Sequence, residues 1–510
     1  MTILHSFIIS FVFLLCIFRI ISRKPRTLPP GPNGLPFIGN VHQLPIEYQE
    51  HAFAQMAKKY GNIIYLSIFG SPTIIVNSLH TAKLLLNDRS QSYSERPSFI
   101  LLAELYGFKD LMLTMSYSNI RFRKQKRWIQ SALSRTSILR YQPMIKRELA
   151  ILLANLIQSP QLHVQHIWRY VGGIILESTY GHRVTTDDDE LLQLATTAFT
   201  GVGSRPADML VDYFPILKLY PDWLPGGGFK RHASWRRKLV MRSLDEPYEA
   251  VKRKVKINGS SDCLVGNLIQ RSLQDGTLDA DELDIIGAGG MLFGAGTETT
   301  VSAITTFFLA ILRHPEVLQK LQQEMDRAVG KERLPDYEDR QSLPYLEASL
   351  LELYRYHTAL SCGIPHYTTK DDVFQEYTIP AGSTVIPNIW AMAHSEETYH
   401  DPNDFIPERF LNVEASNLAD IHPSQYTFGF GRRTCPGRDL ADCILYITIA
   451  SIVATLDVRN LKDKSGNDII PPYSFVSGLA RIPKTFEFNV SPRSEKSHSL
   501  IFEHVQDHHT

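Results

Sequence analysis

The chain has 510 residues, with 53 Lys plus Arg balanced by 53 Asp plus Glu, and 44% hydrophobic residues, among them 25 Phe and 22 Tyr. A formal charge of zero gives no support to nucleic acid as a partner, and so much apolar content can fill a large core. Five cysteines, odd in number and scattered (Cys16, Cys263, Cys362, Cys435, Cys443), make neither a disulfide framework nor a zinc pattern. The bulk of the chain is therefore expected to face a reducing cytosol; length alone predicts two to four domains.

From Ile3 to Ile21 the chain is apolar apart from His5, Ser6, Ser10 and Arg19, close to the ~20 residues that cross a hydrocarbon layer. Arg19, Arg23, Lys24 and Arg26 follow, and a positive flank stays cytoplasmic. A cleaved signal peptide would carry its charge first and a small-residue cleavage site after, and neither is seen. Residues 1–22 thus read as one transmembrane anchor and 23–36 as a basic, proline-rich hinge, stiff and unable to be helical from Leu28 to Pro36. Asn62 to Asn77 alternates as a β-hairpin does. Tyr117 to Trp128 packs together Arg121, Arg123, Lys124, Lys126 and Arg127, open to reading as a localisation signal, a polyanion patch or a solvated helix face. Ser131 to Gln158 reads as helix, and Val211 to Phe229 as a loop rich in aromatics and breakers. Sequons stand at Asn258 and Asn489, the second followed by Pro492.

A long apolar helical pattern runs from about Leu283 to Leu312 although it holds Gly287, Gly289, Gly290, Gly294 and Gly296. Each costs a helix about 1 kcal/mol relative to alanine, so something must compensate. Inside it lie Gly294, Ala295, Gly296, Thr297, Glu298 and Thr299. His314 to Val329 begins with a proline at an early helical position. Glu352 and Arg355 share a face of a helical segment, Tyr345 to Tyr356, and Pro407, Glu408, Arg409, Phe410 follow. Residues 494–510 are polar, with His498, His504, His508 and His509, and read as a disordered tail, with a metal site as the alternative.

The most informative stretch is Phe428, Gly429, Phe430, Gly431, Arg432, Arg433, Thr434, Cys435, Pro436, Gly437. It spells F-x-x-G-x-R-x-C-x-G and leads into an apolar, helix-compatible run. A lone cysteine is usually a small buried hydrophobe; here glycines let backbone approach the sulfur, and a helix N-terminus with Arg433 would favour the thiolate, the ligand form. The loop resembles the heme-binding signature of the cytochrome P-450 monooxygenases. The resemblance spans about residues 28–490 and includes Glu352 with Arg355, the P-E-R-F segment and the Gly296–Thr299 stretch.

That resemblance implies one large fold, mainly α with a small β-rich lobe, over residues 37–493, preceded by the anchor and hinge. It implies heme b with Cys435 as the axial iron ligand; a buried network of Glu352, Arg355 and Arg409; and a proton relay of Glu298 and Thr299, although a helical threonine also bonds back to its own helix. Arg433, His366 and Lys126 would hold the heme propionates and Phe428 would lie at the cofactor. The family's Trp and Arg at two propionate positions are here Phe122 and Lys126, and lysine is a point charge without arginine's fork. The remaining basic residues of 117–128 would dock an acidic reductase. No strand-led G-x-G-x-x-G is present, so electrons from NADPH must arrive through that separate reductase.

The implied reaction inserts one oxygen atom of dioxygen into a hydrophobic small molecule at the endoplasmic reticulum membrane. The resemblance is to fungal enzymes, which favours a terpenoid or polyketide intermediate of secondary metabolism, with xenobiotic oxidation second. A heme-thiolate isomerase or dehydratase and a non-enzymatic heme carrier are the rivals. By family position the substrate is lined by Ser98–Leu113, Gly203–Phe214, Met291–Ala295, Ala359–Ile364 and Phe475–Leu479, chiefly apolar segments.

Overall fold

The computed structural model describes residues 27–476 and 478–507; the proposed anchor, residues 1–22, and the first part of the hinge lie outside these. The described chain is mainly helical. Its helices of ten residues or more are α1 (Gln49–Tyr60), α2 (Ile120–Ala132), α3 (Gln142–Gln158), α4 (His163–Tyr180), α5 (Glu190–Phe199), α6 (Gly228–Asn258), α7 (Leu264–Gln274), α8 (Leu278–Arg313), α9 (Pro315–Ala328), α10 (Pro344–Tyr356), α11 (Arg438–Thr455) and α12 (Glu495–Asp507).

The hairpin is present as β1 (Ile63–Ile68) and β2 (Ser71–Val76), paired antiparallel. It joins β6 (Thr384–Pro387) and β3 (His366–Tyr367) in a sheet of order β1-β2-β6-β3, where β2 and β6 run parallel. Strands β4 (Asp372–Phe374) and β5 (Tyr377–Ile379) form a small ribbon, and β7 (Leu456–Lys462) sits between β8 (Asp468–Ile469) and β9 (Phe488–Pro492). This is the α-rich body and small β-rich lobe anticipated above.

Helix α8 is the axis of the body, packing on α2, α4, α6, α7 and α11. Its glycines are there because neighbours come too close for a side chain: a Cβ on Gly287 would meet the carbonyl of Asp110, and one on Gly290 would meet Leu244. Close packing against other elements is the compensation for poor helix propensity. It is also the one described helix long and apolar enough to cross a membrane, yet 72% of its apolar window is buried inside the protein. It is a core helix.

Two expectations fail. Ser131 to Gln158 is not one helix: α2 stops at Ala132, and a 3-10 turn, Ser137–Tyr141, precedes α3. The supposed disordered tail folds as α12, which packs on α3 and α11. Ser497, Leu500 and Ile501 are buried at helical spacing, so a polar composition concealed an amphipathic face.

Candidate active site

The cysteine loop is shaped by its glycines. Gly429 and Gly431 both have positive φ (75° and 52°), and a Cβ on Gly431 would collide with the carbonyl of Leu86. The backbone N–H of Cys435 donates to Phe428 O (2.9 Å), folding the loop over before α11 begins at Arg438. Cys435 is accessible although densely surrounded by protein, as a residue lining an internal cleft would be. Burial pushes its thiol up, while the Gly437 N–H, Lys126 and Arg438 pull the other way. The reading that Arg433 acts on the sulfur is corrected here: its guanidinium donates to three carbonyls, Ser94 (2.7 Å), Met112 (3.3 Å) and Met115 (2.6 Å), and lies 4.0 Å over the Phe122 ring. Phe428 packs edge-on against Tyr354 of α10.

Beside Arg433 the structure gathers His366, Lys126 and a residue the sequence did not flag, Arg96. Arg96 is half-buried; it donates to Ile364 O and Pro365 O (both 2.7 Å), and its Nε is buried with no hydrogen-bond partner. His366 bonds through Nδ1 to Tyr93 O (2.8 Å), and Lys126 donates to Arg432 O (2.7 Å). All four are pushed toward neutrality by burial, and the Arg433 charge adds to this in Arg96, Lys126 and His366, as the Arg96 charge does in Lys126 and His366: His366 to about 3, Lys126 to about 8, Arg433 to about 10 and Arg96 well below its usual value. Glu95 is the acidic group that acts on Arg433, and it is itself occupied by Ser116, Tyr117 and Ser118. Cations crowded in this way lack an anion. Two propionates of a heme fit the donor set. Since Nδ1 of His366 is spent on Tyr93, the ring could donate to a propionate only as imidazolium, a form that the anion itself would favour.

In α8, Thr299 Oγ1 donates to Ala295 O one turn back (2.9 Å), while Ala295 itself is exposed in the middle of a buried helix. The Glu298 carboxyl turns to the Gly201 N–H (3.5 Å) and feels Arg236. Thr299 and Glu298 are thus adjacent but not joined in a ready-made relay. Burial raises Glu298 to about 7, the Gly201 N–H and Arg236 opposing it.

The network of Glu352, Arg355 and Arg409 is assembled. Arg355 reaches both oxygens of Glu352 at 2.7 Å, Arg409 comes within 3.3 Å, and Ala393, Pro402 and Asp404 carbonyls take the other Arg355 donors. Two of the five clustered cations in α2 are lost to internal pairing: Arg121 binds Asp110 (2.7 Å) and Asp284 (2.6 Å), and Lys124 binds Asp281 and Asp284. Arg123 and Arg127 stay exposed. A cavity of about 500 Å³ is lined from four of the five anticipated segments, all but Met291–Ala295, and also by Tyr48 and Glu50 at the start of α1, which nothing in the sequence singled out.

The cytochrome P450 family model matches residues 29–490. The chain is 40% identical over 481 residues to cytochrome P450 monooxygenase 176 of Postia placenta, covering 93% of this chain and 92% of the relative. It is 35% identical to cytochrome P450 monooxygenase claR of Ampulloclitocybe clavipes (94% and 89% covered) and 34% to cytochrome P450 monooxygenase COX2 of Coprinopsis cinerea (94% and 91%). The chain belongs to the cytochrome P450 family, the heme-thiolate monooxygenases. It is an enzyme of that class, and the class implies heme iron as its cofactor.

Proposed function

We propose that this enzyme is a membrane-bound monooxygenase that oxidises a hydrophobic small molecule with electrons passed from NADPH through a reductase, and that Cys435 is its axial ligand. The carrying observation is the crowd of four cations, Arg96, Lys126, His366 and Arg433, in the same part of the fold as the accessible Cys435. When bound, heme with a thiolate ligand supplies the activation of dioxygen. The protein's part is to hold the propionates with those cations and to manage protons. Glu298, raised to about 7, can both give and take a proton near neutral pH. The Thr299 hydroxyl spends its proton on Ala295 O and must rotate to offer it elsewhere.

The exposed Arg123 and Arg127, close along α2 to Lys126, suit an acidic reductase surface. An apolar patch supports the membrane: Phe37 (95% exposed) and Ile46 flank the hairpin, and Trp223 (76% exposed), Leu219 and Ile216 project from the loop over 211–229. Phe69 joins the two halves, its N–H donating to Ile38 O (3.3 Å) and its ring meeting that of Phe214 edge-on at 5.0 Å. Exposed apolar side chains of this size suit a lipid or protein surface. As substrate we propose a secondary-metabolite terpenoid or polyketide, with a xenobiotic second.

The reduced carbon-monoxide difference spectrum tests the ligand: Cys435→Ser should lose the thiolate-type Soret band, and a variant that keeps it removes the assignment. Thr299→Ala should retain heme and substrate binding but divert reducing equivalents into hydrogen peroxide. Acid–base positioning is worth ~10²–10⁴-fold in rate, and a water can stand in for the hydroxyl, so partial uncoupling is the expected outcome. A product-to-NADPH ratio equal to wild type would take Thr299 out of the mechanism.

A further inference from the structure

Three charged side chains line the 500 Å³ cavity: Glu50, Asp212 and Arg481. Two of them cancel. Arg481 holds Glu50 at 2.6 Å and lies 4.2 Å over the Tyr48 ring, so the lining of two carboxylates and one guanidinium is left with one net negative charge, on Asp212. This carboxylate sits on a short helical turn of the loop, Leu210–Tyr213. Its Oδ1 accepts the N–H of Leu101 (2.8 Å) from the facing segment.

Among the described residues no cation pairs with it. On its own loop, Tyr213 carries a phenol and Asp208 is taken by Arg205 (3.1 Å) and His232 (3.5 Å). From the facing segment come Tyr106 and the Glu104–Lys218 pair (2.8 Å). From α6, Arg237 bonds to Glu104 O and Arg236 to Ala198 O and Thr200 O. Burial pushes the Asp212 carboxyl up to about 6, the Leu101 and Ile100 N–H groups opposing it. It is therefore charged at neutral pH, poorly solvated and without a counter-charge. Such a group gains most from a donor brought by a ligand and repels an anion.

We infer that Asp212 is a specificity-determining residue, and that the enzyme selects apolar molecules carrying a hydroxyl or ammonium donor over those that end in an anion. This rests on the monooxygenase reading above, in which the cavity admits substrate. It narrows the substrate class to oxygenated or basic hydrophobes and sets free acids aside.

The test uses the heme-loaded full chain and three probes with one apolar body: an adamantyl alcohol, an adamantyl dimethylammonium and an adamantyl sulfonate, each titrated by the Soret shift. At neutral pH the ammonium, with or without the alcohol, should bind at least about tenfold more tightly than the sulfonate, the ratio that about 1.4 kcal/mol produces. A preference shared by the alcohol makes the hydrogen bond sufficient; one confined to the ammonium makes charge the determinant. Asp212→Asn should erase the preference, and in wild type it should fade as pH falls below about 6. A sulfonate bound as tightly as the ammonium, or a preference untouched by Asp212→Asn, overturns the inference. If that variant does not fold, a wild-type preference that persists in acid does so instead. Absence of a thiolate-type carbon-monoxide band in wild type would mean that the monooxygenase reading has failed, not the selectivity.

Discussion

Around Glu352, two guanidiniums and a carboxylate are sealed from water, and the donors of Arg355 meet the two Glu352 oxygens or a carbonyl. Around Arg433, four basic groups crowd together, Arg433 and Arg96 lowering the proton affinity of their neighbours, and Arg96 keeps an Nε with no partner. Both clusters are rich in arginine; the first is fully buried, the second half-buried apart from the buried His366. The first is complete in the chain alone and serves as scaffold; the second is complete only when an anion arrives. Satisfied polarity marks structure, and unsatisfied polarity of one sign marks a ligand site.

The sharpest way to break this contrast is to open the complete cluster. Arg355→Met leaves the Glu352 charge buried with Arg409 alone, and removal of one partner from a buried ion network costs roughly 3–5 kcal/mol. Denaturant unfolding of the heme-free chain should show that loss, or the variant should fail to accumulate; a loss below 1 kcal/mol would mean that the cluster is not scaffold.

The open cluster should respond in the opposite sense. Arg96→Leu removes a cation that repels its neighbours, so the heme-free protein should unfold at the same or a higher temperature, while transfer of heme to apomyoglobin speeds up by about tenfold, the loss of one charge-assisted bond of about 1.5 kcal/mol. If thermal stability and heme retention fall together, Arg96 belongs to the scaffold and the comparison fails.

The smallest effect is a pH dependence. Lys126 in the folded protein titrates near 8, below its ordinary 10.5. Between those values the unfolded chain binds more protons, so this residue makes heme-free stability rise with pH across that window; below about 8 both states are protonated and its penalty is fully present. Lys126→Met should flatten the rise relative to wild type, followed by unfolding midpoints at several pH values. An unchanged slope would place the amine in water.

What the sequence by itself determined is what short range encodes. The F-x-x-G-x-R-x-C-x-G spacing, the i,i+3 pair at Glu352 and Arg355, the proline at the start of α9 and the apolar period of α8 are local, and each element stands within a few residues of its anticipated place. Tertiary structure decided where polar groups spend their hydrogen bonds. A run of five cations in α2 does not say that Arg121 and Lys124 will meet Asp110, Asp281 and Asp284 from elsewhere in the chain. Nor does the loop motif say that Arg433 will staple carbonyls of residues 94–115, or that Arg96, an isolated arginine before Pro97, will join it. Asp212 is likewise one acid in an aromatic loop until Leu101 and the cavity are beside it. Charge and hydrogen bonding depend on distance in space and on the exclusion of water, and neither is a property of the local chain.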